Sequence, residues 1–544
     1  MSRWPLPVVA ALLAAAVVLG IRAAAWEERE ASHLSDWHLW TETDEHAAVA
    51  AAARIAGGNW LDAPAFRPWF SWQARFGSPA DWDAVVPRNV AYQGPAYPYF
   101  LVVAGATGQG QVMVARLAQL LLATIASGVL SAACAALLLR AGRGRSLALV
   151  AGVSAGVLHG TYGPLVFLDG FLYRDGPIAH LSALLLAIPL LGSRAPRVRE
   201  GLGLGLLAGA GALVKQTLLP LGLLAGACLA LRAVDRSSRR RVVAGLAAGL
   251  LVALSPLLVR NSLVGDPLLS FDTRPLVGIP WANARGADGS VNTSPLLMDV
   301  LRKARGSTLR AAVETLATWR GDPLGFPLLV GRKLASAVNG VEVPDNASFG
   351  FFRDRLPWLS RLPLFAFVFG PGVAGLILAA RRGLFRRREA FLVAGAGVVP
   401  LAACVLVSTT TRYRAGAAAP LALGTALLGA LAVEAFRARQ VRPLLPYLAT
   451  AAVLSAQTLL PSPIRARPNR WSDTIVAATL AEARTSPEAG AAEIRRYLEE
   501  QGEDPDRTRG LMAMQRWLAG DRAISRVEPA GIAPPERRYQ GTRR

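Results

Sequence analysis

The chain has 544 residues, of which 53 % are hydrophobic, and its mean hydropathy of +0.35 is too apolar for a soluble enzyme. Its formal charge of +22 at pH 7 does not indicate a nucleic-acid partner, because the basic residues fall in short clusters between apolar runs rather than on one face. The three cysteines lie inside apolar runs without metal-ligand spacing. We therefore expect an all-α polytopic membrane protein.

The first apolar run, residues 5–21, resembles a signal peptide, and Ala23 to Ala25 resemble a cleavage site. Arg22 and the many later apolar runs favour a retained first membrane helix. Either reading places the following segment, residues 26–94, outside the membrane as a first outer loop. Its tryptophans are either interfacial anchors or the lining of a cleft for a sugar, and the sequence does not sort them: Trp26, Trp37, Trp40, Trp60, Trp69, Trp72 and Trp82.

A short apolar helix after Gly94 is too short to cross a bilayer, so we expect it to be interfacial or re-entrant. Ten longer apolar segments follow, and with the first helix they predict about eleven spans. The segments are 114–139, 146–166, 177–193, 200–216, 218–232, 242–259, 362–380, 390–407, 417–435 and 444–460.

The basic clusters predict how these helices thread the membrane. With the N-terminus taken as cytoplasmic, the inner loops hold the arginines near 140–145, 194–199, 232–241, 381–388 and 437–442, as the positive-inside rule requires. The same threading places a large loop, residues 260–360, on the outer face, with amphipathic helices at 307–319 and 327–338. We expect residues 1–460 to form the transmembrane domain and 461–544 a small helical outer tail, disordered from Val527 onward.

Gly201, Gly205 and Gly209 are spaced by four within one apolar segment. This spacing is typical of close helix packing in membranes, whereas a dinucleotide-binding loop would follow a strand that is absent here.

Acidic and basic residues gather at the predicted outer helix ends, where polar groups near a membrane commonly mark function. An acidic pair, Asp44 and Glu45, begins an Ala-rich helix, which by itself is also an ordinary helix start. The other members are Asp169, Arg174, Asp175, Lys215, Arg260, Asn261, Arg412 and Arg414. A carboxylate whose pKa is raised by partial burial can act as a general base, and the cations can hold a phosphate. The set therefore suits transfer from a lipid-linked phosphosugar.

Several motifs, in order along residues 1–460, resemble the GT-C superfamily of polytopic glycosyltransferases, in particular the branch of protein O-mannosyltransferases and lipid A aminoarabinose transferases. They are Asp44-Glu45 with Gly57-Gly58-Asn59-Trp60, Pro95-Ala-Tyr-Pro-Tyr-Phe, Asp169 with Arg174-Asp175-Gly-Pro, Val259-Arg260-Asn261-Ser262, Val341-Glu342-Val343-Pro344-Asp345-Asn346, and Thr411-Arg412-Tyr413-Arg414.

The resemblance implies an inverting transfer from a polyprenyl-phosphate-linked sugar to a lipid, protein or glycan acceptor. It implies Asp44 as the base, with Glu45 orienting the acceptor or sharing the proton, and Asp169 or Asp175 as a second carboxylate. Phosphate or substrate binding then falls to the remaining polar members: Arg174, Lys215, Arg260, Asn261, Glu342, Arg412 and Arg414. The enzyme is expected in a bacterial inner (plasma) membrane with its active site facing the periplasm or exterior.

Two departures concern acceptor binding: His46 and alanines follow the acidic pair, and Ser262 replaces the usual tyrosine. No His or Cys spacing predicts a tight metal site, although an all-oxygen site for a divalent cation stays open. A glycan ligase or polymerase that uses the same donors is one alternative. A lipid-linked sugar transporter or flippase is another, which predicts charges near the bilayer midplane and paired halves.

Overall fold

The computed structural model describes residues 5–108, 112–192, 196–291, 293–464 and 470–501, and all regular secondary structure within these ranges is helical. The predicted disorder from Val527, any tail helix beyond residue 501 and the side chain of Arg194 lie outside the described residues.

The N-terminal part begins with a long apolar helix and continues with short helices in and just after residues 26–94, the predicted first outer loop, which we call the first outer segment. These are α1 (Leu6–Ala31), α2 (Asp44–Ala56), α3 (Pro79–Val85) and α4 (Ala96–Val103). The second of them starts where the sequence predicts, at Asp44, because the Thr43 hydroxyl caps the helix by accepting a hydrogen bond from the His46 amide.

Seven helices form the first part of the apolar bundle. They are α5 (Met113–Arg140), α6 (Arg145–Gly160), α7 (Gly163–Asp169), α8 (Asp175–Leu191), α9 (Val198–Val214), α10 (Leu218–Ala230) and α11 (Arg236–Val264). The first helix of the chain packs against α5 and α6, where a Cβ added at Gly160 would lie 2.4 Å from Val18.

The large outer segment and the second part of the bundle follow. Their helices are α12 (Arg274–Asn283), α13 (Leu297–Ala304), α14 (Thr308–Ala317), α15 (Gly325–Ala337), α16 (Phe349–Arg355), α17 (Pro357–Ser360), α18 (Phe365–Arg381), α19 (Arg387–Leu406), α20 (Thr411–Arg414), α21 (Ala418–Arg437) and α22 (Leu445–Thr458). The described part of the tail holds α23 (Arg470–Arg484) and α24 (Pro487–Gln501).

Each of the eleven predicted spans contains a helix, but the described residues hold six helices that are long and apolar enough to cross a membrane. The number is seven if α6 and α7, which are bent by 51° relative to each other, form one span. The count of eleven is therefore not confirmed. The difference is one of length: α10 has 13 residues, which rise only about 20 Å in a bilayer core of about 30 Å.

The loops predicted to be inner meet at one end of the bundle. Glu389 lies 3.3 Å from the Arg140 guanidinium and 3.1 Å from that of Arg232, and Arg143 lies 2.6 Å from Glu434. These contacts join four of the five basic loops, as an alternating topology requires.

A second core of aromatic rings lies beyond the apolar bundle. Trp37 packs edge-on against Phe352 and Phe171, with ring centroids 4.9 and 6.4 Å away, and the α23 side chains Val476 and Leu480 join the same core. This core fixes the first outer segment and the tail against the turn between α7 and α8, which carries candidate site residues.

Candidate functional site

Asp44 is the first residue of α2, and only 3 % of its surface is exposed. A carboxylate at this position is favoured by the helix dipole, so the same local sequence that starts the helix also orients the side chain. The Tyr92 hydroxyl donates a hydrogen bond of 3.2 Å to Asp44 Oδ1.

Arg412, from the one-turn helix α20, is the centre of the site. Its guanidinium contacts three carboxylates that lie far apart in sequence: Asp44 at 2.8 Å, Asp175 at 2.7 Å and Asp345 at 2.9 Å. Asp175 begins α8 as Asp44 begins α2. Two helix starts and one loop therefore direct their acids at a single cation.

Three further cations and one further acid complete the arrangement, which we call the charge cluster. Arg274 pairs with Asp44, Lys215 Nζ lies 3.0 Å from Asp175, and Arg174 lies 3.3 Å from Asp272. The members are Asp44, Asp175, Asp272, Asp345, Arg174, Lys215, Arg274 and Arg412. Four acids balance four cations, so this largely buried cluster is formally neutral.

Aromatic rings lie under the cations of the charge cluster. The Arg412 guanidinium lies 4.9 Å from the centre of the Tyr173 ring, and that of Arg274 lies 4.5 Å from the centre of the Tyr92 ring. Lys215 Nζ lies 3.9 Å from the centre of the Tyr413 ring. The rings stabilise positive charge in the site without neutralising it.

The acids of the cluster differ in pKa. Burial raises the pKa of Asp44, but Arg274 and Arg412 outweigh burial and hold that pKa well below its usual range. Burial alone therefore does not give Asp44 the raised pKa that favours a general base, because two guanidinium groups contact the carboxylate. Burial does raise the pKa of Asp345, despite the opposing effect of Arg412.

Glu45 lies next to Asp44 in sequence but points away from the cluster. Its fully buried carboxylate accepts a 2.7 Å hydrogen bond from the Leu172 amide and lies 3.8 Å from Arg116. It ties α2 to the turn that carries Arg174 and Asp175.

Asp169 belongs to a separate buried group. It pairs with Arg22 of α1 and lies 2.8 Å from His180 Nε2 on α8. These contacts hold α1, α7 and α8 together.

Arg260 uses its guanidinium to hold loops. It donates to the carbonyls of Leu61, Asp62 and Asn89 at 2.9, 3.2 and 2.7 Å, and also contacts Asn261 and Asp266. The Asn261 amide nitrogen donates to the carbonyls of residues 267, 268 and 270. Both residues secure the end of α11 beside the first outer segment.

Arg414 and Glu342 form an ion pair of 2.5 Å, and the guanidinium also lies 3.9 Å from the centre of the Phe365 ring. Arg414 donates to the Asn339 carbonyl as well. Only Tyr413 separates Arg414 from Arg412, yet the two arginine side chains bind different partners.

The structure thus brings together Asp44, Asp175, Arg174, Lys215 and Arg412 from the predicted set. It adds Asp272, Arg274 and Asp345 to them. Two of these three, Asp272 and Arg274, were open to prediction from the Phe-Asp-Thr-Arg-Pro segment, because it places two charges at the start of a helix in a predicted outer loop. Among the described residues, no group of three His, Cys, Asp or Glu side chains is arranged to hold a metal ion.

No protein-family description and no curated protein sequence matches the chain. A comparison with solved structures found the oligosaccharyltransferase of Archaeoglobus fulgidus in its apo form, with 18 % identity over 89 % of this chain and a TM-score of 0.38. The same enzyme in complex with Zn and sulfate matches with 17 % identity over 88 % of this chain and a TM-score of 0.39.

ArnT from Cupriavidus metallidurans, bound to undecaprenyl phosphate, matches with 18 % identity over 77 % of this chain and 79 % of that one, with a TM-score of 0.31. This chain spans 59 % and 55 % of the length of the archaeal enzyme in those two structures. These neighbours are distant from this chain in both sequence and structure.

Proposed function

We propose that this protein is a GT-C-type glycosyltransferase that moves a sugar from a polyprenyl-phosphate-linked donor to an acceptor hydroxyl. The observation that carries the proposal is the charge cluster, in which Arg412 contacts three carboxylates, two at helix starts and one in a loop. Cations beside a buried acid supply what such a transfer needs: charge to bind a phosphate, and a base for the hydroxyl proton.

The low pKa of Asp44 describes the site without substrate, and a donor changes it. A phosphate that binds Arg274 and Arg412 competes with Asp44 for the same guanidinium groups. Asp44 then loses the charges that lower its pKa, while its burial remains. The base is therefore activated only when donor is present.

In the transfer step the acceptor oxygen attacks the anomeric carbon, and the bond from that carbon to the phosphate oxygen breaks. The acceptor proton passes to Asp44, and the polyprenyl phosphate leaves with the bonding electrons. Arg412, Arg274 and Lys215 offset the charge that grows on the leaving phosphate. A single displacement of this kind inverts the configuration at the anomeric carbon.

Glu45 and Asp169 take positioning roles in this proposal. Glu45 holds the turn before α8 through the Leu172 amide, and Asp169 holds α1 and α8 through Arg22 and His180. Arg260 and Arg414 likewise secure loops around the site. We further propose that the charge cluster faces the periplasm or exterior of a bacterial inner membrane, opposite the basic loops.

The test uses the purified protein reconstituted into membranes. It measures whether the protein transfers label from a panel of radiolabelled polyprenyl-phosphate sugars to acceptors in an envelope extract. Asp44→Asn keeps the size of the side chain and is expected to lower turnover about 100-fold or more. Glu45→Gln retains an acceptor for the Leu172 amide and serves as the matched control, with turnover expected within about tenfold of the original protein.

Asp345→Asn is the third variant, because Asp345 shares Arg412 Nη1 with Asp44. Undiminished turnover in Asp44→Asn, with turnover lost in Asp345→Asn, would assign the base to Asp345 instead. Movement of the labelled lipid across sealed vesicles without any new glycosidic bond would favour a flippase and overturn the proposal.

A further inference from the structure

A cleft lined by tryptophans opens next to Asp44. It lies between the first outer segment and α12, with a volume of about 800 Å³ including open solvent. Its aromatic lining consists of Trp69, Trp72, Trp82, Tyr92 and Trp281. Three of the seven tryptophans of the first outer segment therefore line one cavity and do not form a membrane-facing belt.

The rings form a rigid wall. Trp72 packs edge-to-face against both Trp82 and Trp281, with ring centroids 5.5 and 5.8 Å away, and the latter two residues are each only 6 % exposed. Trp69 is 41 % exposed at the mouth of the cleft. A wall of fixed rings offers flat apolar faces, on which the C–H faces of a sugar ring can pack.

Polar donors are placed within this aromatic lining. Besides its rings, the cleft is lined by five charged or polar side chains: Arg67, Gln73, Asp83, Thr273 and Arg274. Side chains of these types can exchange hydrogen bonds with the hydroxyl groups of a ligand. A few such groups in an apolar lining are typical of a small-molecule site.

Two residues of the cleft lining contact the proposed base. Tyr92 donates a hydrogen bond from its hydroxyl to Asp44, and Arg274 pairs with Asp44. Asp44 itself is not part of the lining, so a ligand that fills the cleft places its innermost hydroxyl beside Tyr92 and Arg274, the two side chains that connect the cleft to the carboxylate.

We propose that the tryptophan cleft is the acceptor site and that the acceptor is a saccharide, rather than a peptide or a lipid. That the bound saccharide is an acceptor rests on the proposed function, whereas its binding in the cleft is measured without any donor. The acceptor hydroxyl belongs to the sugar unit seated nearest Tyr92 and Arg274.

The experiment measures binding of the full-length protein, in lipid nanodiscs, to three kinds of probe. The probes are oligosaccharides of neutral hexoses, pentoses and uronic acids, a Ser/Thr-containing peptide, and a lipid without sugar. We expect at least one oligosaccharide class to bind. Trp69→Ala and Trp72→Ala are expected to weaken that binding about tenfold or more each.

Trp60→Ala is the matched control, because Trp60 belongs to the same outer segment, is 62 % exposed and does not line the cleft. Unchanged binding in this control, with loss in the two cleft variants, supports the proposal. Equal binding in all three variants, no binding of any oligosaccharide, or binding of the peptide or lipid in the cleft instead would overturn it.

The two proposals fail in different ways. Donor-dependent transfer without oligosaccharide binding would contradict the saccharide cleft but not the transferase. Oligosaccharide binding that depends on Trp69, without any transfer from the donor panel, would contradict the transferase but not the saccharide-binding cleft.

Discussion

At the scale of single residues, the site depends on the shape of one side chain. Arg412 reaches three carboxylates because a guanidinium presents five N–H groups in a planar fork. A lysine ammonium is a point charge on a flexible stem and cannot reproduce these contacts together. Charge alone therefore does not define the site.

Arg412→Lys keeps the charge and is expected to lower turnover about 100-fold or more, because the phosphate and the carboxylates lose their common partner. The measurement is label transfer from the polyprenyl-phosphate sugar, together with a thermal unfolding curve. The control is Arg382→Lys, at an exposed arginine that follows the C-terminal end of α18, and we expect it to leave both measurements unchanged. Turnover near the original value in Arg412→Lys would contradict the role given to the guanidinium fork.

The residues of the cluster show how far the sequence alone can predict a site. Asp44, Asp175, Arg174, Lys215 and Arg412 were predictable because each sits at a helix end on the predicted outer face. The partners of each charge were not predictable, since they depend on contacts such as that between Asp44 and Arg274, 230 residues apart. For the same reason the sequence could not separate Glu45 and Asp169, which bind other groups, from the cluster members.

At the scale of helices, close packing depends on which glycines face a neighbour. On α9, Gly205 faces α11 so closely that an added Cβ would lie 2.2 Å from the Leu246 carbonyl oxygen. Gly203, two residues earlier, has no atom within 4 Å of an added Cβ. The predicted role of the spaced glycines in helix packing is confirmed at positions 201, 205 and 209, all of which face α11.

Gly205→Ala is therefore expected to lower the temperature of thermal unfolding by several degrees, because the two helix backbones must separate. Gly203→Ala is expected to leave that temperature unchanged or to raise it, since alanine is the better helix former by about 1 kcal/mol. Fluorescence-detected unfolding of the two variants in detergent gives the comparison. A Gly205→Ala protein as stable as Gly203→Ala would show that α9 and α11 do not pack as described.

The number of spans shows what periodicity and hydropathy leave open. Both identify every apolar segment, but neither fixes where a helix breaks. Tyr162 separates α6 from α7, and Lys215 ends α9 only three residues before α10 begins. The break between α9 and α10 carries Lys215, and the turn between α7 and α8 precedes Asp175, so interruptions that shorten the helices also position two residues of the site.

At the scale of the whole molecule, the C-terminal tail packs against the body through a buried acid. The Ser348 amide donates a 3.3 Å hydrogen bond to Asp473 Oδ1 of α23, whereas Asp473 Oδ2 is buried and makes no hydrogen bond within the described residues. Burial raises the pKa of Asp473 to about 7, an effect that Arg355 only partly opposes. Above about pH 4, docking of the tail therefore requires either the uptake of a proton by Asp473 or the burial of its charge.

The sign of the pH dependence follows from this raised pKa. An undocked tail has an ordinary Asp473 pKa of about 4, so between about pH 4 and pH 7 the docked state binds more protons than the undocked state. The contribution of Asp473 therefore makes docking of the tail strongest below pH 4. The free energy of docking weakens as the pH rises from 4 to 7, by at most about 1.4 kcal/mol for each step of one in pH, and is constant above pH 7.

Asp473→Asn is expected to protect the tail at pH 8, because an amide oxygen still accepts from the Ser348 amide without any buried charge. The measurement is hydrogen exchange of residues 473–501 in the variant and the original protein at pH 5 and pH 8, corrected for intrinsic exchange rates. His33, 3.5 Å from Glu493, also titrates in the tail interface, but it is present in both proteins and cancels in the comparison. The gain in protection should be large at pH 8 and small at pH 5; an equal gain at both would show that Asp473 is not protonated in the docked tail.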